Sequence, residues 1–238
     1  MGAQFFKFKK FTIHHDLCAM KAGTDAVLLG SWCTVCSHSR ILDIGTGSGI
    51  IALMLAQREE NSIITAIDND INAIKQAFIN VNNSIFKENI EVREADFRTL
   101  AQETENESYD SIVSNPPYFE EEAFSPDKSR NAARHTSSLP FAELIHGSAT
   151  LLKHQGTFSL IVPCTAARTV IVLAAAEGLY LSRRTDVSDS IKKTPVRSLL
   201  EFRKTNSPTA QSLLYIHNNG GTYSDEFKEL TKDFYLNF

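Results

Sequence analysis

The chain has 238 residues, 42% apolar and 22% charged, with a formal net charge of −4. This is ordinary globular composition, and it excludes a disordered chain, a collagen-like repeat and a coiled coil. One domain of this length buries enough surface to need no disulfide or metal staple.

Strand-like and helix-like stretches alternate along the chain, which predicts an α/β sheet. The Phe-Lys alternation of residues 5–11 reads as a strand whose phenylalanines enter the core, and His14-His15 as a turn after it. Residues 40–44 read as a buried strand ending in a glycine turn, and residues 50–58 as an apolar helix. Residues 62–67 are rich in β-branched side chains and stop at Asp68. Residues 72–82 have helical spacing through Ile74, Ala77, Phe78 and Val81. Strands follow at 90–93, ending at Glu94-Ala95-Asp96, and at 108–113, ending at Asn115-Pro116-Pro117-Tyr118. Pro140 is placed to start a helix over 141–152. A strand at 156–162 and a helix at 166–177 follow, the helix closed by Gly178. Thereafter the alternation stops. Residues 180–187, 198–203 and 212–217 read as strands added antiparallel at one edge, and Ser224 caps a short last helix. The polar, aperiodic stretch 120–138 is long for a loop inside a compact domain, which points to function or disorder.

The longest apolar runs, 50–56 and 170–176, are seven residues each, against about 20 for a bilayer span. The N-terminus lacks the apolar core of a signal peptide, and Phe6 stands where a myristoylation site needs Ser or Thr. A cytoplasmic protein without a membrane partner is expected. Of the four cysteines, Cys33 and Cys36 in Trp32-Cys33-Thr34-Val35-Cys36 mimic a redox motif. The motif needs a strand before it and a helix after it, and here that order is inverted. A zinc reading through Cys33, Cys36 and His38 lacks a second ligand pair. Reduced cysteines and no metal are expected.

The turn Asp43-Ile44-Gly45-Thr46-Gly47-Ser48-Gly49 joins a strand to a helix. Glycines there permit positive φ and close backbone approach by a ligand. The third glycine comes one residue early for a dinucleotide fingerprint, and no Lys-Ser/Thr pair follows to make a P-loop. The turn resembles the S-adenosylmethionine loop of class I methyltransferases. That resemblance implies a Rossmann-like, doubly wound, mostly parallel seven-stranded sheet with an antiparallel edge. It also implies that Asp43, Gly45, Gly47 and Gly49 serve the cofactor, the glycines packing under its methionine part. Asp68, 19 residues past Gly49, suits an acid accepting from both ribose hydroxyls. Asp96 stands where the family places a partner for the adenine amino group, and Phe97 can pack on the ring.

The Asn115-Pro116-Pro117-Tyr118 turn is rich in acceptors, because its prolines remove two backbone donors. The Asn115 side-chain oxygen and the Pro116 carbonyl suit an NH₂ group held by both hydrogens, whose lone pair can then attack a methyl carbon in line. Tyr118 can stack on a planar substrate. With the glycine turn, this resembles the amino-methyltransferases, which modify adenine N6, guanine N2 or protein glutamine amides.

Three further stretches are similar to the bacterial valine-tRNA adenine-37 N6-methyltransferases: residues 18–32, Asn131-Ala132-Ala133-Arg134-His135, and the tail from Gly221 through Phe227 to Tyr235. The resemblance covers nearly the whole chain. It implies that Lys21, Gly23 and Thr24 lie against the cofactor, that Asn115 to Tyr118 hold the target adenine, with Asn115 also contacting the cofactor, and that Pro117 and Phe119 bind the substrate. A single methyltransferase domain over 1–238 is expected, with 1–39 as an extension contributing to the site, acting as a monomer on tRNA. Only about forty residues precede the glycine turn, too few for the helical domain of the glutamine methyltransferases. His135 reads as a surface histidine.

Residues 101–124 carry seven acids and no base, whereas residues 178–206 carry a net +4. RNA contacts are therefore expected on Lys7, Lys9, Lys10, Arg130 and Arg134, and on the basic stretch through Arg183, Arg184, Lys192 and Lys193. A SAM-binding RNA or protein module without catalysis is the alternative of another class. The acceptor-rich turn argues against it.

Overall fold

The computed structural model describes residues 5–18, 23–117 and 139–238. A short hairpin, β1 (Phe5–Lys7) and β2 (Thr12–His14), comes first, followed by α1 (Thr24–Trp32). The main sheet takes β3 (Arg40–Ile44), β4 (Ile63–Asp68), β5 (Ile90–Glu94), β6 (Tyr109–Ser114), β7 (Leu152–Pro163), β8 (Tyr180–Ser190), β9 (Arg197–Arg203) and β10 (Ala210–His217). Between them lie α2 (Ile50–Arg58), α3 (Ile71–Asn82), α4 (Phe97–Glu103), α5 (Phe141–Leu151) and α6 (Cys164–Ala176), and α7 (Asp225–Thr231) comes last.

The order across the sheet is β10-β8-β9-β7-β6-β3-β4-β5. Every neighbouring pair is parallel except the two that involve β9. Among the described residues the sheet thus has eight strands, one more than the expected seven. The expectation of three antiparallel additions is corrected: β9 alone is reversed, and β10 lies parallel to β8 beyond it. Because β9 inserts between β7 and β8, the carboxyl ends of β8 and β10 point the same way as those of β3 to β7.

Two apolar layers cover the sheet. One is built around α1, α2 and the aromatic tail, with Leu28, Leu53, Met54, Phe8, Phe227 and Phe234 buried. The other packs α4, α5 and α6 over Leu42, Ile112, Phe158 and Leu160. The helix α2 is buried along its whole length from Ile50 to Ala56, as expected for a helix apolar all round. Local signals behave as their chemistry requires. The Ser224 hydroxyl accepts from the Phe227 amide at 3.0 Å, and Gly178 takes φ +73° after α6. The sheet reverses its winding between β3 and β6, which opens a crevice beyond their carboxyl ends.

Candidate active site

The crevice holds a cavity of about 250 Å³. Two corners of the chain open on it. Gly45 and Gly47 line it from the turn after β3, and Asn115, Pro116 and Pro117 line it from the turn after β6. The corners leave adjacent strand ends, since Ile44 pairs with Ser114. Gly45 and Gly47 have φ of +72° and +55°, which L side chains rarely adopt. Among the described residues, a Cβ at either would meet no atom within 4 Å, so the wall they present is bare backbone. Gly49 serves another purpose. It caps α2 at φ +80°, and a Cβ there would lie 3.3 Å from Ala77. Its packing against α3 corrects the expectation that all three glycines face the ligand.

Three acids stand around the turn. Asp68 lines the cavity, and its carboxylate accepts from the Gly47 amide at 2.9 Å and the Asp70 amide at 3.0 Å. Those amides fix its orientation and leave further lone pairs on both oxygens for hydroxyl donors. Burial raises its pKa, while the backbone donors act in the opposite sense. Asp43 lies fully buried beneath the turn and accepts from the Thr46 hydroxyl at 2.6 Å. Among the described residues its other oxygen has no partner at hydrogen-bonding geometry, although the Ala52 amide lies near enough to act on the carboxylate. Burial pushes its pKa up to about 7, with the Asp68 charge adding. Asp96 lines the cavity from the start of α4, where it accepts from the Arg98 amide at 2.7 Å. Arg98 in turn pairs with Glu143 of α5.

Phe97 borders the cavity too, but its ring tip is turned into the α4–α5 contact. A Cβ at Gly147 would lie 2.7 Å from Phe97 Cε1. The ring is thus packed in the core layer at its tip while it also borders the cavity, where the sequence places it. Further apolar surface around the cavity comes from Ile44, Ile67, Ala95, Pro117 and Leu139. Gly23 and Thr24 open α1 and do not line the cavity, whereas Cys18 does. Lys21, Tyr118, Phe119, Arg130, Arg134 and His135 lie outside the described residues. Bare backbone, an oriented carboxylate and an apolar slot ending at Asp96 fit a group with an amino acid end, a ribose and an adenine.

Sequence reasoning missed Cys18, Asn69, Asp70, Ala73 and Arg98 as cavity residues. Asn69 and Asp70 had a signal, because they follow the acid at a strand end. Cys18 had only a coarse one: it opens the 18–32 stretch, with no feature of its own that marks it as lining the cavity.

The expected basic surface divides. Arg183 lies over the Trp32 ring, 3.8 Å from its centroid, donates to the Trp32 carbonyl at 2.7 Å and pairs with buried Glu201 at 2.9 Å. It holds the end of α1 to the sheet, which corrects its reading as an RNA contact. Arg184 pairs with Asp186 at 2.9 Å. Lys9 Nζ donates to the carbonyls of Lys232 and Phe238, and Lys10 pairs with Glu60 at 3.1 Å. Glu60 precedes β4, so these two lysines sit at the amino edge of the sheet, away from the cavity; Lys7, opposite Thr12 in the hairpin, is exposed. Lys192 and Lys193 lie in the β8–β9 connection, at the carboxyl edge that holds the cavity. Cys33 is buried, with its thiol pushed up to about 11 by that burial, and Cys36 is exposed. Among the described residues no group of His, Cys, Asp and Glu is placed to hold a metal. No helix among them is long and apolar enough to cross a membrane.

Comparison with known proteins agrees with this geometry. The family model "Methyltransferase small domain" matches residues 22–164. A tRNA1(Val) (adenine(37)-N6)-methyltransferase of Bacteroides fragilis is 44% identical over 236 residues, 99% of each chain. The proteins of the same name from Phocaeicola vulgatus and Haemophilus influenzae are 44% and 42% identical, over 100% and 98% of this chain and 100% and 99% of theirs. Among solved structures, a predicted O-methyltransferase from Agrobacterium tumefaciens superposes with a TM-score of 0.69 at 20% identity, over 88% of this chain and 96% of its own. The fold of a Streptomyces coelicolor geranyl diphosphate C-methyltransferase, solved with S-adenosyl-L-homocysteine, matches at 0.57 and 11% identity, over 76% and 77%. A cavity walled by a bare glycine turn and an Asn-Pro-Pro corner, and full-length similarity to these enzymes, have one reading: the chain belongs to the methyltransferase small domain family and, within it, to the group of the tRNA1(Val) (adenine(37)-N6)-methyltransferases.

Proposed function

We propose that the protein methylates N6 of adenine 37 in a valine tRNA with S-adenosylmethionine as donor, the whole chain acting as one domain and residues 1–39 contributing to the site. One observation carries this reading: the glycine turn and the Asn115-Pro116-Pro117 corner open on the same cavity from paired strand ends.

The roles follow from the chemistry of the groups. Bound in the cavity, the donor supplies an electrophilic methyl carbon. Gly45 and Gly47 accept its amino acid end against bare backbone, Asp68 accepts from the ribose hydroxyls, and Asp96 accepts from the adenine amino group. At the other corner, the Asn115 side-chain oxygen and the Pro116 carbonyl each accept one hydrogen of the target amine. An exocyclic amine is a weak nucleophile because its lone pair is delocalised into the ring. Acceptors that hold both hydrogens favour the pyramidal nitrogen of the transition state over the planar ground state, which is the differential binding that raises kcat. No base has to ionise the amine first: the nitrogen takes the methyl, with S-adenosylhomocysteine as the group that would be left behind, and the surplus proton departs from the nitrogen afterwards. Tyr118 and Phe119 supply stacking surface for a base turned out of its loop. Phosphate contacts fall to Lys192 and Lys193 at the carboxyl edge, with Arg130 and Arg134.

The test is incubation with methyl-labelled donor and separate pools of tRNA, ribosomal RNA and protein, followed by nucleoside analysis. N6-methyladenosine in the valine tRNA pool is expected. Label confined to protein or to ribosomal guanine overturns the reading.

A further inference from the structure

The segment from Thr12 to Cys18 climbs one face of α3 toward the cavity. The His14 amide donates to Asn80 Oδ1 at 3.0 Å, and the His14 carbonyl accepts from Asn80 Nδ2 at 2.8 Å. One turn nearer the helix start, the Leu17 amide donates to Gln76 Oε1 at 3.1 Å. One turn further, Ala73 lines the cavity together with Cys18. Positions 73, 76 and 80 form one stripe of a helix. Asn80 also donates to the Ser48 carbonyl in the glycine turn at 2.8 Å, so one side chain ties the segment to that turn.

Both amides are buried, with exposures of 2% for Gln76 and 1% for Asn80. Burying a primary amide is costly unless its groups are bonded, and here the partners are the peptide groups of the climbing segment. Where the climb ends, Cys18 stands close enough to Asp68 and Asp70 for their charges to raise its thiol pKa, behind the larger effect of burial.

We propose that Gln76 and Asn80 are positioning residues for cofactor binding: they seat residues 12–18 on α3 so that Cys18 closes the cavity wall beside Asp68. The proposal rests on the cofactor reading above and assigns it a wall that the glycine-turn motif does not contain. Neither amide lines the cavity. They act through the backbone they hold, and Asn80 keeps that backbone in register with the glycine turn.

The test reads Cys18 labelling by iodoacetamide, resolved by peptide mass spectrometry in a Cys36→Ser background, with and without saturating S-adenosylhomocysteine. Because the thiol is pushed up to about 11, only the ratio of the two rates is used. In the otherwise unaltered protein the ligand is expected to slow labelling at least tenfold. Gln76→Met keeps the side-chain volume and loses the acceptor. It is expected to weaken S-adenosylhomocysteine about tenfold, raise the KM for the donor, speed Cys18 labelling, and leave kcat at saturating donor within twofold. Gln76→Glu, which retains an acceptor for the Leu17 amide, is expected to restore most of the affinity. A folded Gln76→Met protein with unchanged affinity and labelling overturns the proposal. So does ligand binding that leaves Cys18 labelling unaltered, a result that needs no α3 variant. Failure of S-adenosylhomocysteine to bind at all instead overturns the cofactor reading, and the positioning role with it.

Discussion

The Ser114 hydroxyl donates to the Ile44 carbonyl at 3.0 Å, joining the last residues of two paired strands. Each strand then turns into one half of the site: Gly45 follows Ile44, and Asn115 follows Ser114. The separation of the two corners that line the cavity therefore depends on the β3–β6 register. Ser114→Ala removes the bond and is expected to lower stability by about 1 kcal/mol. It also loosens the joint, so kcat falls more than donor affinity. Denaturant unfolding and steady-state kinetics on the same preparation check both.

Gly47 combines a left-handed φ of +55° with a cavity-facing backbone. Gly47→Ala is expected to cost about 1–2 kcal/mol of folding stability through backbone strain. The added methyl also projects into open space where the ligand approaches. Calorimetry is expected to show S-adenosylhomocysteine bound at least tenfold more weakly, with Gly178→Ala, a left-handed glycine away from the cavity, leaving affinity unchanged.

Asp43 carries the clearest pH signature. Burial raises its pKa to about 7 in the folded protein, from an ordinary value of 3.8. The folded state then binds more protons than the unfolded state between those values, so stability falls as pH rises through that window. The full contribution is present below about 4 and lost above 7. Asp43→Asn keeps an acceptor for Thr46 and abolishes the titration. The melting temperature of ligand-free Asp43→Asn, relative to wild type, is expected to rise from pH 5 to pH 8. A difference that stays flat over that range contradicts the assignment.

Strand direction divides the bases between two ends of the molecule. Lys192→Glu with Lys193→Glu, at the cavity edge, is expected to weaken tRNA binding about tenfold at low salt and to flatten the dependence of log Kd on log salt by about two units. Lys10→Glu, at the opposite edge beside Glu60, is expected to leave binding within twofold. Filter binding over a salt series measures all three proteins.

That division also shows where reading the chain as a string failed. Residues 178–206 form one basic stretch in sequence, yet β8 and β9 fold back on each other, pairing Tyr180 with Arg203 at one end and Val187 with Arg197 at the other. Proximity along the chain says nothing about which edge of a sheet a side chain reaches. The helix α3 misled for a related reason. Its apolar spacing points Phe78 inward, but Phe78 is 58% exposed while Gln76 and Asn80 are buried. A helix facing a peptide segment rather than a layer of apolar side chains needs amides there, and periodicity carries no trace of that partner. By contrast, β3, β4 and the two corners were legible, because positive φ demands glycine and proline removes donors wherever the chain places them. The reversal of β9 alone was not legible, since strand direction at the edge depends on connections that leave no local mark.

Asn115→Ala separates a role of Asn115 on the amine, as proposed, from a role on the donor. Single-turnover methylation of valine tRNA is measured beside the affinity for S-adenosylhomocysteine. A rate lower by about 10² to 10³ is expected, with ligand affinity within about threefold of wild type. A variant that methylates at the wild-type rate, or one that loses ligand binding in proportion to rate, contradicts it.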